Sequence, residues 1–159
     1  MSRLGTVSVA AVVASLAWAG LSAAPSFAQT TSDVVTQLYD EAYFLKAADQ
    51  AVTTADPDTV VQLYQSAIIY APGDPVPYEK LAEYFVGNKQ PELAQRYFNL
   101  ALDVQPAYAP ALQGLALLDL AAGNREGARA NHEILVRSCG AGCPETAQVE
   151  KALNSASKP

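Results

Sequence analysis

Residues Pro75 to Tyr108 read PVPYEKLAEYFVGNKQPELAQRYFNLALDVQPAY, and this stretch decides the fold. Its first half places apolar residues three or four positions apart, as in Tyr78, Leu81 and Phe85, which is the spacing of one face of an α-helix. Pro91 then stands where a second helix begins, because a proline in the first turn forfeits no hydrogen bond. The stretch therefore predicts two helices joined by a short turn.

The same pattern recurs at steps of 34 residues on both sides of this stretch. Six sets of three positions keep the register: Phe44, Tyr78 and Leu112; Ala47, Leu81 and Leu115; Ala48, Ala82 and Ala116; Val60, Ala94 and Ala128; Tyr64, Phe98 and His132; Ala67, Ala101 and Leu135. A fixed period of this length is typical of a solenoid of helix-turn-helix units. No alternating β-branched run is present, so we expect an all-α chain.

The middle unit resembles the tetratricopeptide repeat (TPR) family. The matching residues are Tyr78, Leu81, Ala82, Phe85, Ala94, Phe98, Ala101 and Pro106. The resemblance extends over three units, 41–74, 75–108 and 109–142, and implies an α-α superhelix, the TPR solenoid. The third unit departs most, because His132 replaces a large aromatic residue and Gly140 stands where the other units have proline.

Helix boundaries follow from proline, aspartate and glycine at the ends of each unit. Asp56 and Asp74 are suitable N-caps, and Pro72 and Pro106 follow the second helices of the first two units. We expect helices at 33–54, 57–71, 75–87, 91–104, 109–122 and 125–138. A last helix, 144–156, is predicted to cap the open end of the stack with Ala147, Val149 and Leu153, because a repeat buries its face only against a neighbour.

The N-terminus has the layout of a secretory signal peptide. Arg3 precedes the uncharged, mostly apolar run from Val7 to Leu21, and small residues follow at Ser26 and Ala28. We expect cleavage after Ala28, which gives a signal peptide at 1–28 and a TPR domain at 29–159. An uncleaved membrane anchor is the alternative, but the run is short for a span. The Ala-rich leader fits a bacterium, so the predicted location is the periplasm or the exterior, without membrane insertion after cleavage.

Charge and motif content exclude several classes of function. The formal net charge is −6, and no basic stripe exists, which argues against nucleic acid and anionic lipid as partners. The single histidine and the absence of a Gly-x-Ser-x-Gly motif leave no nucleophile–base pair to propose. Glycine-rich phosphate loops are also absent. We therefore expect neither catalysis nor a cofactor.

Cys139 and Cys143, the two cysteines, are expected to form a disulfide in an exported protein. A loop this short stabilises the fold by about 2 kcal/mol on the loop-entropy view. Two alternatives stay open at this stage. One is thiol–disulfide exchange, although the usual Cys-x-x-Cys spacing is missing. The other is a soft-metal site that adds His132, about two helical turns earlier.

The TPR resemblance implies that the first helix of each unit lines a concave groove. The positions carried over are Ala42, Leu45, Asp49 and Val52, then Val76, Glu79, Glu83 and Val86, then Pro110, Gln113, Leu117 and Leu120. The set is apolar with three acids, which suits a protein or peptide segment carrying apolar residues and Lys or Arg. The TPR variant that clamps a carboxylate needs Lys and Asn, which Leu45, Glu79, Asp49 and Glu83 replace here.

Other interpretations of these groove positions remain open. Glu79 and Glu83 could be an ordinary solvated face. The N-terminal helix or the cap could cover Leu45, Leu117 and Leu120. The favoured function is an exported adaptor or scaffold that binds a partner segment. The alternative is a metal- or redox-linked accessory factor acting through the cysteine loop.

Overall fold

The computed structural model describes residues 40–156, which form seven α-helices and no strand. The helices are α1 (Glu41–Ala51), α2 (Pro57–Tyr70), α3 (Val76–Gly87), α4 (Pro91–Val104), α5 (Ala109–Ala121), α6 (Arg125–Ser138) and α7 (Pro144–Ser155). They pack as three pairs, α1 on α2, α3 on α4 and α5 on α6, and each pair contacts the next through α2–α3 and α4–α5. Residues 40–156 are therefore an all-α helical-repeat superhelix with a seventh helix at its end.

The predicted punctuation is confirmed at most helix ends. The Asp56 carboxylate accepts the backbone N–H of Thr59 at 3.0 Å and its hydroxyl at 2.7 Å, and Pro57 occupies the first turn of α2. Asp74 differs from the prediction, because its Oδ1 accepts the N–H of Val76 at 2.8 Å and Pro75 is the N-cap residue. Asp74 therefore lies one residue before the N-cap position, and its side chain orders the turn that leads into α3.

The predicted helix 33–54 is wrong at Asp40 and at its C-terminal end. Asp40 is extended, with φ −89° and ψ 176°, and its carboxylate accepts the N–H of Tyr43 at 2.8 Å, so α1 begins at Glu41. α1 then ends at Ala51, before three β-branched residues of low helix propensity, Val52, Thr53 and Thr54. Residues 33–39 and the predicted signal peptide lie outside the described residues.

Small and aromatic residues pack together in the main hydrophobic core. Ala48 and Ala82 are fully buried there, and Ala116 is fully buried in the neighbouring cluster, which lets the helices of each pair approach closely. Tyr64 and Phe98 are buried beside them, 3% and 2% exposed. We call each set of positions spaced 34 residues apart a column. These 34-residue columns therefore correspond to layers of the packed interior.

A second cluster forms where the cap helix α7 covers the third pair. Val149 of α7 is fully buried with Leu112 and Leu135, and Leu153 packs against them, whereas Ala147 is exposed and does not contribute as predicted. The Arg125 guanidinium donates to the backbone carbonyls of Ala156 and of Leu153, where a cation also complements the helix dipole. These contacts hold α7 against the start of α6.

No helix between residues 40 and 156 is both long and apolar enough to cross a bilayer.

Candidate protein-binding groove

Two neighbouring cavities lie along the first helices of the three pairs. The polar cavity, of about 440 Å³, is lined by Asp49, Val52, Tyr64, Lys80, Glu83, Tyr84, Gly87 and Asn88. The apolar cavity, of about 480 Å³, is lined by Glu83, Val86, Gly87, Phe98, Pro110, Gln113, Gly114, Leu117, Leu118 and Ala121. Glu83 and Gly87 belong to both linings, so the two cavities meet at α3. We call the two together the groove.

The two acids that line the polar cavity, Asp49 and Glu83, each accept a hydrogen bond from a neighbouring side chain. The Tyr64 hydroxyl donates to Asp49 Oδ1 at 2.8 Å, and Lys80 Nζ donates to Glu83 Oε2 at 2.9 Å. Burial raises the pKa of Tyr64, and its hydrogen bond to Asp49 raises that pKa further. The phenol therefore stays protonated and keeps the Asp49 carboxylate in place.

Glu79 is a buried acid next to this cavity. It is 5% exposed, and its Oε1 lies 3.5 Å from Lys80 Nζ. Burial raises the pKa of Glu79 to about 7, the nearby charge of Glu83 raises it too, and Lys80 only partly opposes them. Burial, followed by the charge of Glu79, raises the pKa of Tyr108 to about 12. The charge of Glu79, next to the groove, thus depends on pH near neutrality.

The apolar cavity depends on a close approach between α4 and α5. A Cβ atom built on Gly114 would collide with the tip of the Phe98 ring. Only glycine therefore lets that ring reach the cavity and form part of its lining. Val86 and Leu117 stand at the opening and are 45% and 39% exposed.

Seven of the twelve predicted groove positions line these cavities, namely Asp49, Val52, Glu83, Val86, Pro110, Gln113 and Leu117. The other five, Ala42, Leu45, Val76, Glu79 and Leu120, line neither cavity. Leu45 packs against the main core, Leu120 packs against the cluster under α7, and Glu79 is buried. Gln113 also donates to Gln148 Oε1 at 2.6 Å, which joins the groove wall to the cap.

Sequence reasoning missed several lining residues, from both first and second helices. Tyr64 and Phe98 belong to α2 and α4, and Lys80, Gly114 and Leu118 were not assigned to the groove. The 34-residue columns contained a signal for Tyr64 and Phe98. They indicated core positions, and both rings are core residues that also reach a cavity.

Cys139 and Cys143 form a disulfide between the end of α6 and the start of α7, with Cα atoms 5.9 Å apart. The buried Thr146 hydroxyl lies 3.0 Å from Cys143 Sγ and is the donor, because a disulfide sulfur has no proton. Among the described residues, Glu145 is the group that lies near both sulfurs, and His132 does not join them. The alternative soft-metal trio is therefore not assembled, and both thiols are consumed in the bond.

We expect the double variant Cys139→Ser/Cys143→Ser to lose up to about 2 kcal/mol of unfolding free energy, because a small closed loop restrains the unfolded chain only modestly. Urea denaturation of both proteins measures the difference. Wild-type protein under a reducing agent should match the variant. Loss of all folded helix signal in the variant would contradict this modest role.

No family model matches the sequence, and no curated protein matches it. Solved structures do. The TPR domain of Sgt2 from Aspergillus fumigatus is 22% identical, with a TM-score of 0.62 over 73% of this chain and 76% of that chain. The first TPR of Spaghetti (RPAP3), bound to the HSP90 peptide SRMEEVD, is 16% identical, with a TM-score of 0.63 over 75% of this chain and 97% of that one. The TPR2B domain of yeast Sti1, in complex with pHsp70, is 18% identical, with a TM-score of 0.60 over 74% and 95%. This chain therefore has the fold of a tetratricopeptide repeat domain, as the resemblance of its repeats implied.

Proposed function

We propose that this chain is a non-catalytic adaptor that binds a segment of a partner protein in the groove. One observation carries the proposal: large apolar side chains stay exposed along the groove, namely Val52, Val86 and Leu117, at 44%, 45% and 39%. Apolar side chains gathered in a concave surface are typical of a protein-binding site. Two of the similar structures are complexes with a peptide or with pHsp70, which supports the same kind of partner here.

The charges of the groove favour an apolar segment with Lys or Arg. Asp49 and Glu83 line it, and its one lysine, Lys80, is already paired with Glu83 at 2.9 Å and near Glu79 at 3.5 Å. Opposite charges across an interface select partners and speed association. An acidic peptide such as the SRMEEVD bound by the RPAP3 domain would meet like charges in this groove.

Leu117→Glu is expected to weaken binding of a groove ligand at least tenfold, because it places a charge on the apolar wall. The probe is a phage-displayed library of random 12-residue peptides, selected on the purified wild-type protein. Selected peptides are then synthesised, and their affinities are measured by fluorescence anisotropy for wild type and variant. The matched control is Leu93→Glu on α4, since Leu93 is 38% exposed, close to the 39% of Leu117, and lines neither cavity.

The control variant should bind the selected peptides with wild-type affinity. Equal losses in the two variants would locate binding outside the groove and overturn the proposal. Failure to select any peptide that depends on Leu117 would do so as well.

We further propose that the adaptor is exported and works outside the cytoplasm of a bacterium. The disulfide supports an oxidising compartment, where such bonds form and persist. Protein isolated from the cells that make it is expected to begin at Gln29, which Edman degradation would detect. A chain that retains residues 1–28 after export would contradict cleavage and favour the anchored alternative.

A further inference from the structure

The two cavities of the groove are repeat-related copies of one site. Adding 34 to the residue numbers of the polar lining gives members of the apolar lining at all positions but one. Asp49 and Val52 correspond to Glu83 and Val86, Tyr64 and Lys80 to Phe98 and Gly114, and Glu83, Tyr84 and Gly87 to Leu117, Leu118 and Ala121. Only the partner of Asn88, which is Ala122, lies outside the apolar lining. The same architecture therefore presents a pocket to a ligand twice.

The chemistry of the two copies differs at the positions that define each pocket. The phenol of Tyr64 becomes the plain ring of Phe98, the Lys80 ammonium becomes Gly114, and a carboxylate becomes the Leu117 side chain. The polar copy keeps two carboxylates, Asp49 and Glu83, and its lysine is engaged by Glu83 at 2.9 Å. The apolar copy has a single acid, Glu83, at the edge that it shares with its neighbour.

We propose that the two copies bind two different side chains of one extended protein segment. The polar cavity takes a Lys or Arg, which pairs with Asp49 and Glu83. The apolar cavity takes one bulky apolar side chain, which packs against the ring of Phe98 beside Leu117. This assignment rests on the proposed function and adds which cavity selects which side chain.

The shared residues make a single segment the fitting occupant. Glu83 and Gly87 line both cavities, so the backbone of a bound segment can continue from one pocket to the next without leaving the groove. Gly87 has no heavy atom within 4 Å of the position a Cβ would take, so the junction between the cavities is open. Gly114 makes the difference in specificity possible, because a side chain there would displace the Phe98 ring.

Variants that alter one cavity at a time provide the test. Ala121→Leu fills the apolar cavity from its exposed edge, and Asp49→Asn removes one charge from the polar cavity while keeping an acceptor for the Tyr64 hydroxyl. Ala130→Leu is the matched control, because Ala130 is exposed on α6 and lines neither cavity. The probes are the 12-residue peptides selected on the wild-type protein, together with versions in which the apolar anchor becomes Ala or the basic residue becomes Gln.

We expect peptides selected on wild type to share one basic and one bulky apolar residue at a fixed spacing. Ala121→Leu should weaken such peptides at least tenfold and have little further effect once their anchor is Ala. Asp49→Asn should weaken them about fivefold and have little further effect once the basic residue is Gln. Such paired losses are the signature of direct contact in a double-mutant cycle.

Two outcomes would overturn the assignment. If peptides bind in a Leu117-dependent way but Ala121→Leu behaves like Ala130→Leu, the apolar cavity does not hold the anchor, although the groove still binds. If Asp49→Asn weakens the Gln peptides as much as the basic ones, the polar cavity does not select the charge. Absence of any Leu117-dependent peptide would remove the proposed function together with this assignment.

Discussion

Gly114→Ala is expected to lower the unfolding free energy by about 2 kcal/mol. At a solvent-exposed position in the middle of a helix, the same change stabilises a protein by about 1 kcal/mol. The reversal follows from the contact between α4 and α5. A Cβ on Gly114 would overlap the tip of the Phe98 ring, and that ring is 2% exposed within a packed core. The ring or the helix must therefore move, and overpacking of this kind outweighs the gain in helix propensity.

Gly87→Ala is the matched control, because Gly87 is the last residue of α3 and a Cβ there meets nothing within 4 Å. We expect it to be neutral or mildly stabilising in urea denaturation. Adding Phe98→Leu should shrink the cost of Gly114→Ala, since a shorter side chain relieves the overlap. A Gly114→Ala variant as stable as wild type, or an equal cost in both backgrounds, would show that the Phe98 contact does not determine this position.

Much of the fold could be predicted because its determinants are local and repeat. A proline begins α2 and α4, prolines follow the same helices after a short interval, and the 34-residue period sets the spacing between pairs. The failure at Asp40 has the same local origin. Its side chain accepts the N–H of Tyr43, so a residue read as helix interior is an N-cap.

The candidate site was only partly predictable, because it depends on contacts between pairs. The family resemblance located Asp49, Glu83 and Leu117 on the lining, since these positions face the concave side of first helices. It could not foresee that Leu120 turns to the cluster under α7, where the cap adds a neighbour that internal repeats lack. Nor could it foresee that Gly114 accommodates Phe98, because periodicity gives the columns and not the distance between them.

Glu79 departs furthest from its predicted environment. A solvated carboxylate was one expectation, yet Glu79 is 5% exposed, with Glu83 and Lys80 nearby on the same helix. Tyr108, from the segment before α5, also experiences its charge. Burial and the Glu83 carboxylate raise the pKa of Glu79 to about 7, from a usual value of 4.5. The folded state therefore binds a proton that the unfolded state has released between these two values.

This difference makes stability fall as pH rises through the interval. The contribution of Glu79 is fully present below about pH 4.5, declines as pH approaches 7 and is absent above it. Glu79→Gln removes the titration and keeps the shape and polarity of the side chain. At pH 8 the variant should be more stable than wild type by about 2 to 3 kcal/mol, and at pH 4 the two should be nearly equal.

Urea denaturation at several pH values between 4 and 9 gives the unfolding free energy at each pH. The slope of that free energy against pH should differ between the variant and wild type. Glu92→Gln, the same change at an exposed position of α4, controls for the loss of one carboxylate and should leave the slope unaltered. Glu83→Gln should flatten the slope in part, because it removes the neighbouring charge that raises the pKa of Glu79. If Glu79→Gln and wild type follow parallel curves, the buried carboxyl does not change its protonation near neutral pH, and the charge beneath the groove is constant there.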